Sequence, residues 1–192
     1  MWKQLKNAFL LLMIMTVLTG LAYPLALTGL AQVLFPFQAN GSIVMKDGKP
    51  IGSLLIGQSF QKNEYFHGRP SAAGQNGYNA AASAGSNLGP TNKKLIETVA
   101  ERLDNVRSAN NLLPGQKVPA DAVLASGSGL DPDISPDYAY LQARRVANSR
   151  GLTVDEVQRL INNHIKDRQF GILGEPRVNV LELNLALDAL QR

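Results

Sequence analysis

The chain has 192 residues, of which 45% are hydrophobic and 18% charged, a composition that excludes an intrinsically disordered protein. Its formal charge of +4 includes Lys3 and Lys6 ahead of a long apolar segment. The rest is close to charge balance, and with no long basic run the pI of 9.4 does not point to nucleic acid. There is no cysteine, so disulfides, thiolate metal sites, cysteine nucleophiles and lipoprotein attachment are all excluded.

The first predicted element is a transmembrane helix over residues 8–35. No charge occurs between Lys6 and Lys46, and the apolar part exceeds the ~20 helical residues that cross a hydrocarbon core. Trp2, Phe35 and Phe37 sit where interfacial aromatics belong. Lys3 and Lys6 precede the span and no basic residue closely follows it. The positive-inside tendency therefore puts residues 1–7 in the cytoplasm and residues 36–192 outside it. A cleaved signal peptide ending at Gly29-Leu30-Ala31 is the rival reading, but typical signals have apolar cores of only ~7–15 residues. Pro24 should kink the helix, because it has no backbone N–H. Ala22, Ala26 and Gly29 share one helical face, small enough for a partner membrane helix to approach.

The remainder reads as an α+β domain, with a few strands early and about four helices late. Ser42 to Met45 and Ile51 to Ile56 form a predicted hairpin around Asp47-Gly48. Ser71 to Thr91, rich in Gly, Ala, Ser and Asn, is a long loop of the kind that carries function. A helix follows from Asn92 to Ala109, with Leu95, Ile96, Val99, Leu103 and Val106 as its apolar stripe. Ser126-Gly127-Ser128-Gly129 reads as a flexible stretch. The next helix begins at Ser135 as cap, with Pro136 in its first position, and ends near Gly151. Thr153 and Glu156 form a capping box for a third helix, with Leu152 and Val157 as a hydrophobic staple. Val178 to Leu190 alternates like a strand at Leu181, Leu183, Leu185 and Leu187. Asn179 and Glu182 nevertheless resemble a cap pair, and the composition favours helix.

No catalytic constellation is visible. There is no phosphate-cradling G-x-x-x-x-G-K-[ST] and no G-x-S-x-G. The two histidines, His67 and His164, lie on different elements, and Asp131, Asp133 and Asp137 lack the pattern of a calcium loop. Arg144, Arg145 and Arg150 suit the negative end of their helix. The segment Tyr65 to Ser71, the Gly/Asn loop and the loop from Leu124 to Ile134 are instead specified by rigid turn residues. They suit a shaped docking surface, with His67, Arg69, Asn87, Ser128 and Asp131 as its candidate residues.

Several motifs in order resemble one family. They are Gln38 to Ser42, Gly52 to Gln58, Tyr65 to Ser71, Gly85 to Leu88, Ala125 to Ser135, Arg145 to Ala147 and Val178 to Asp188. Over nearly its whole length the chain resembles the KdpC family, which belongs to the bacterial high-affinity potassium-transporting ATPase. Leu124 stands where threonine is commoner. The resemblance implies a non-catalytic subunit of the bacterial plasma membrane. It also implies partnership with a channel-like potassium-translocating subunit and a P-type ATPase subunit. Such a subunit binds no cofactor of its own, since ATP and potassium are handled by the complex, and it raises the ATP affinity of the ATPase subunit. The family has also been linked to nucleotide binding through a glutamine that maps onto Gln32. The charge-based topology puts Gln32 at the end of the span away from cytoplasmic ATP. An effect on ATP affinity is then expected through conformation, with a directly nucleotide-binding subunit as the alternative.

Overall fold

A computed structural model describes residues 1–190, which fall into two compact units, Met1–Ile43 and the chain from Val44 onward. In the first unit, α1 (Trp2–Val17), a π-turn (Leu18–Ala22) and α2 (Tyr23–Leu34) form one apolar helix. This helix, Trp2–Leu34, has 33 residues and is long and apolar enough to cross a membrane, the pattern of a single-pass membrane protein. At ~1.5 Å per residue it spans about 50 Å, against a hydrocarbon core of roughly 30 Å. None of its side chains is buried within the chain.

Pro24 disturbs the helix by widening a turn. In a regular ladder its missing N–H would have served the Gly20 carbonyl, and the π-turn at Leu18–Ala22 ends just before the ring. Thr19 reinforces this region, its hydroxyl donating to the Met15 carbonyl at 2.7 Å. A short helix, α3 (Pro36–Ala39), follows the long one. Asn40 closes it by donating from Nδ2 to the Pro36 carbonyl at 2.7 Å.

The second unit opens with the expected hairpin, β1 (Ile43–Lys46) and β2 (Lys49–Ser53), whose first residue Ile43 closes the preceding unit. Asp47 and Gly48 both have positive φ, +52° and +75°, as a two-residue hairpin turn requires. The second strand stops at Ser53, short of the predicted Ile56. The Ser53 hydroxyl accepts from the Leu55 N–H at 3.1 Å and starts a turn there. Residues 54–92 contain no helix or strand among the described residues, in keeping with their composition.

Four longer helices follow: α4 (Lys93–Ala109), α5 (Pro136–Arg150), α6 (Val154–His164) and α7 (Val180–Ala189). Each starts where its sequence cap stands. Side-chain oxygens of Asn92, Ser135, Thr153 and Asn179 accept from the N–H groups of Lys94, Tyr138, Glu156 and Glu182. The Thr153–Glu156 pair is a full capping box. Gly151 ends α5 at φ +67°.

Three short strands late in the chain have no counterpart in the sequence pattern: β3 (Asp133–Ile134), β4 (Ile165–Lys166) and β5 (Arg177–Asn179). They form an antiparallel sheet in the order β3-β5-β4, with Ile134 and Ile165 both opposite Val178. At two or three residues each, they are too short for periodicity to reveal. Val178, helical by its sequence pattern, is the middle of β5, and the helix begins at Val180.

The core lies between the sheet and α5, α6 and α7. Ile134, Tyr138, Val146, Val157, Ile161, Val178, Leu183 and Leu187 are buried there, with Phe66 delivered by the irregular stretch 54–92. In α7 the buried set includes Val180, Leu183, Asn184 and Leu187, which is helical spacing. The strand-like alternation of its leucines is coincidental. On α4, Val99, Leu103 and Val106 reach the core, while Ile96 is exposed.

Candidate functional site

The segment Asn63–Arg69 crosses the core as irregular backbone, and side chains of α5 and α7 replace the missing strand partner. The Asn184 amide accepts from the Phe66 N–H at 2.8 Å and donates to the Phe66 carbonyl at 3.0 Å. The Gln142 amide does the same for His67, at 2.7 and 3.1 Å. Both amides are buried, so four backbone groups that would otherwise be orphaned are satisfied.

Two arginines complete the clamp. Arg145, 6% exposed, donates to the carbonyls of Asn63 and Tyr65 at 2.6 and 3.0 Å, and to the side-chain oxygens of Asn110 and Gln142. Arg150 donates to the Glu64 carbonyl at 2.7 Å and to Asp188 at 2.8 Å, and lies 4.8 Å from the Tyr65 ring centroid. Arg150 does stand in the last turn of α5, as its place in the sequence suggests, but the three arginines do not share one role there. Arg145 and Arg150 turn inward to feed loop carbonyls, and Arg144 alone is exposed.

Beyond His67 the loops interlock. Arg69 pairs with Asp131 at 2.8 Å, and the Tyr78 hydroxyl donates to the Arg69 carbonyl. The Ser71 hydroxyl donates to the Gly129 carbonyl at 2.6 Å and accepts from the Tyr78 N–H at 2.7 Å. Gly57 donates to the Leu130 carbonyl at 2.8 Å, and Ala84 to the Ser128 carbonyl at 3.0 Å. The Ser126–Gly129 stretch, expected to be flexible, is thus pinned on both sides. Gly129 has φ +67°, and a Cβ there would stand 2.5 Å from the Ala84 carbonyl oxygen, so only glycine fits.

Between this junction and α4 lies a cleft of about 580 Å³, lined among others by Phe60, His67, Arg69, Tyr78, Asn105 and Tyr138. None of the described residues that line it is a carboxylate. His67 donates from Nε2 to the Lys62 carbonyl at 3.1 Å, and its pKa is held below the ordinary value by burial and by the nearby Arg145 charge. A neutral imidazole with a proton on Nε2 satisfies both observations. Burial pushes the Tyr138 phenol up to about 12, so it stays a neutral donor.

Of the residues singled out in the sequence, His67, Arg69 and Asp131 come together at or beside this cleft. Ser128 lies in the pinned loop, where its hydroxyl accepts from the Leu130 N–H at 3.1 Å. Asn87 is exposed at φ +52° and does not line the cleft. Asp131, Asp133 and Asp137 do not converge as metal ligands. Asp131 holds Arg69, Asp133 holds Arg177 at 3.1 Å, and Asp137 is exposed on the first turn of α5. Among the described residues no cluster of three or more acidic or histidine side chains could hold a metal.

In the other unit, Gln32 and Asn40 exchange hydrogen bonds between their amides, at 3.2 and 3.4 Å. Ala22, Pro24, Ala26 and Gly29 are exposed along the apolar helix, and a Cβ on Gly29 would meet nothing within 4 Å. Sequence reasoning missed Gln142, Asn184 and Tyr138. For the amides a signal existed: each is a polar residue at a position that continues an apolar helical stripe. A second missed feature is the tip at Phe170 and Ile172, 83% and 76% exposed, whose neck is held by the Arg168–Glu175 pair at 2.6 Å.

The family model described as K+-transporting ATPase, c chain, matches residues 5–189. The chain belongs to the KdpC family. A Potassium-transporting ATPase KdpC subunit of Rhodopseudomonas palustris (strain BisB5) is 54% identical, with all of both chains covered. One from Mycobacterium tuberculosis (strain ATCC 25618 / H37Rv) is 55% identical over 99% of this chain and 100% of its own length. One from Gemmatimonas aurantiaca is 53% identical over 99% and 94%. The KdpC-like segments Tyr65 to Ser71, Ala125 to Ser135 and Val178 to Asp188 are the ones that interlock through Asn184, Arg69–Asp131 and Ser71.

Proposed function

We propose that the chain is a non-catalytic accessory subunit of an ATP-driven potassium-uptake complex of the bacterial plasma membrane. Its partners are a channel-like potassium-translocating subunit and a P-type ATPase subunit. The observation that carries this reading is the KdpC match across residues 5–189, which takes in the apolar helix and the folded unit alike. The helix packs on partner helices through Ala22, Ala26 and Gly29, where small side chains allow close approach. Lys3 and Lys6 hold the N-terminus in the cytoplasm, and the folded unit lies on the other side.

With that topology the subunit raises ATP affinity without touching ATP. Binding one conformation of the ATPase subunit better than another shifts its equilibrium, and the nucleotide site follows. Direct contact through Gln32 is the weaker reading, since the Gln32 amide is already engaged by Asn40. The test is the KM for ATP of the purified complex with and without this subunit. Conformational coupling of ordinary size gives a change of roughly 5–150-fold. An unchanged KM removes the regulatory role. Ala26→Ile should lower the yield of assembled complex, and normal co-purification of that variant removes the packing role.

A further inference from the structure

Arg145 is a buried cation with no counter-ion among the described residues. Its hydrogen-bond partners are all carbonyl or amide oxygens, and no carboxylate pairs with it among the described residues. It stands behind Asn110, which lines the cleft, and its charge is felt by His67 and Tyr138, which line it too. A buried charge held only by neutral dipoles leaves an uncompensated field. Asp121 opposes this field at Tyr138, but acts there less strongly than Arg145 does. Arg69 is matched by Asp131 through one nitrogen, while its Nε is buried without an acceptor. His67 is neutral. The Tyr138 hydroxyl, 4% exposed as a residue, makes no hydrogen bond among the described residues and is an available donor. The described lining residues therefore include an unused donor and no acid, and the Arg145 charge behind them is only partly offset by Asp121.

The space is too large for a bare ion. Some 580 Å³ matches a pocket for a drug-sized group, and part of its wall is apolar, with Phe60, Val106, Ala109 and Ala122. We infer that this cleft receives a polypeptide segment of a partner subunit that presents an Asp or Glu side chain flanked by apolar residues. The carboxylate meets the field of Arg145 and the Tyr138 hydroxyl, and the flanking residues cover the apolar wall.

This inference rests on the accessory-subunit reading, and its test separates the two. In the complex purified from cells, benzoylphenylalanine is placed either at Gln61, an exposed residue on the cleft rim, or at Ala26 in the span. The Gln61 probe should join a partner segment with an Asp or Glu within a few residues of the junction. Changing that acid to its amide, or Tyr138→Phe here, should cut the yield several-fold while the thermal midpoint of the subunit stays unchanged. A Gln61 junction to a segment without acid overturns the inference. So does no junction while the Ala26 probe still captures a membrane subunit, and the accessory role then stands. Failure of both probes together with loss of co-purification overturns the accessory role itself. Saturation of the cleft by millimolar inorganic phosphate, with loss of the Gln61 junction, assigns it to a free anion and also overturns the polypeptide occupant.

Discussion

Replacing Asn184 with leucine tests whether side-chain amides truly stand in for a strand beside Phe66. Leucine is close in volume and apolar, so the core stays filled. What is lost is the pair of bonds at 2.8 and 3.0 Å, which leaves the Phe66 N–H and carbonyl without partners next to a side chain that is 2% exposed. Each buried, unsatisfied backbone group costs about 1–3 kcal/mol, so the substitution should cost about 2–6 kcal/mol. Folding free energies are typically about 5–15 kcal/mol, so the loss is a large share of the whole. Asn184→Asp refines the test. Its carboxylate keeps the acceptor for Phe66 N–H and loses the donor to the Phe66 carbonyl. A buried carboxyl has a raised pKa, so its stabilising, protonated form is present at low pH and is lost as pH rises through that value. The deficit relative to the native chain should therefore shrink as pH falls. Urea unfolding of the full chain in detergent, followed by the near-ultraviolet dichroism of its tyrosines, reads both effects. A leucine variant within about 0.5 kcal/mol of the native chain would refute the strand-substitute role, since a surface-like change has that size.

Two further outcomes follow from the same junction. Gly129→Ala should destabilise by about 2 kcal/mol more than Gly115→Ala in urea unfolding. Both residues have positive φ, but only at Gly129 would the methyl strike backbone, at 2.5 Å from the Ala84 oxygen. Equal losses would show that the loops around Gly129 part easily. Stability should also fall as pH drops below about 6.5, because the unfolded chain takes up a proton on His67 that burial and Arg145 deny the folded one. His67→Gln should flatten that slope above the carboxylate range. Asp133, whose pKa burial and Asp131 raise, contributes with the opposite sign in that lower range. An unaltered slope in the variant would mean that His67 is not held neutral.

The elements legible in the sequence are those with local signals. The apolar helix, the Asp47-Gly48 hairpin and the four capped helices each rest on residues within one turn of each other, and the structure places them there. What is not legible depends on long-range pairing. The β3-β5-β4 sheet joins pieces of two or three residues from three distant places, too short to show a period. Arg145 and Arg150 lie near a helix end in either reading. Their inward turn is set by loop carbonyls some 80 residues away in sequence, and nothing local shows it. At the candidate site, turn chemistry correctly draws attention to His67, Arg69 and Asp131. It does not separate them from Asn87, because a glycine- and asparagine-rich loop looks alike along its length while only part of it reaches the cleft.

The side of the membrane on which the folded unit stands decides whether it can ever meet ATP. The chain has no cysteine, so single cysteines report cleanly. Ser86→Cys, at an exposed loop position, and Gln4→Cys, before the apolar helix, are labelled in intact cells with a membrane-impermeant maleimide. With the folded unit outside the cytoplasm, position 86 reacts at once and position 4 only after the membrane is opened. Reaction in the reverse order would place the folded unit with ATP in the cytoplasm and contradict the conformational role.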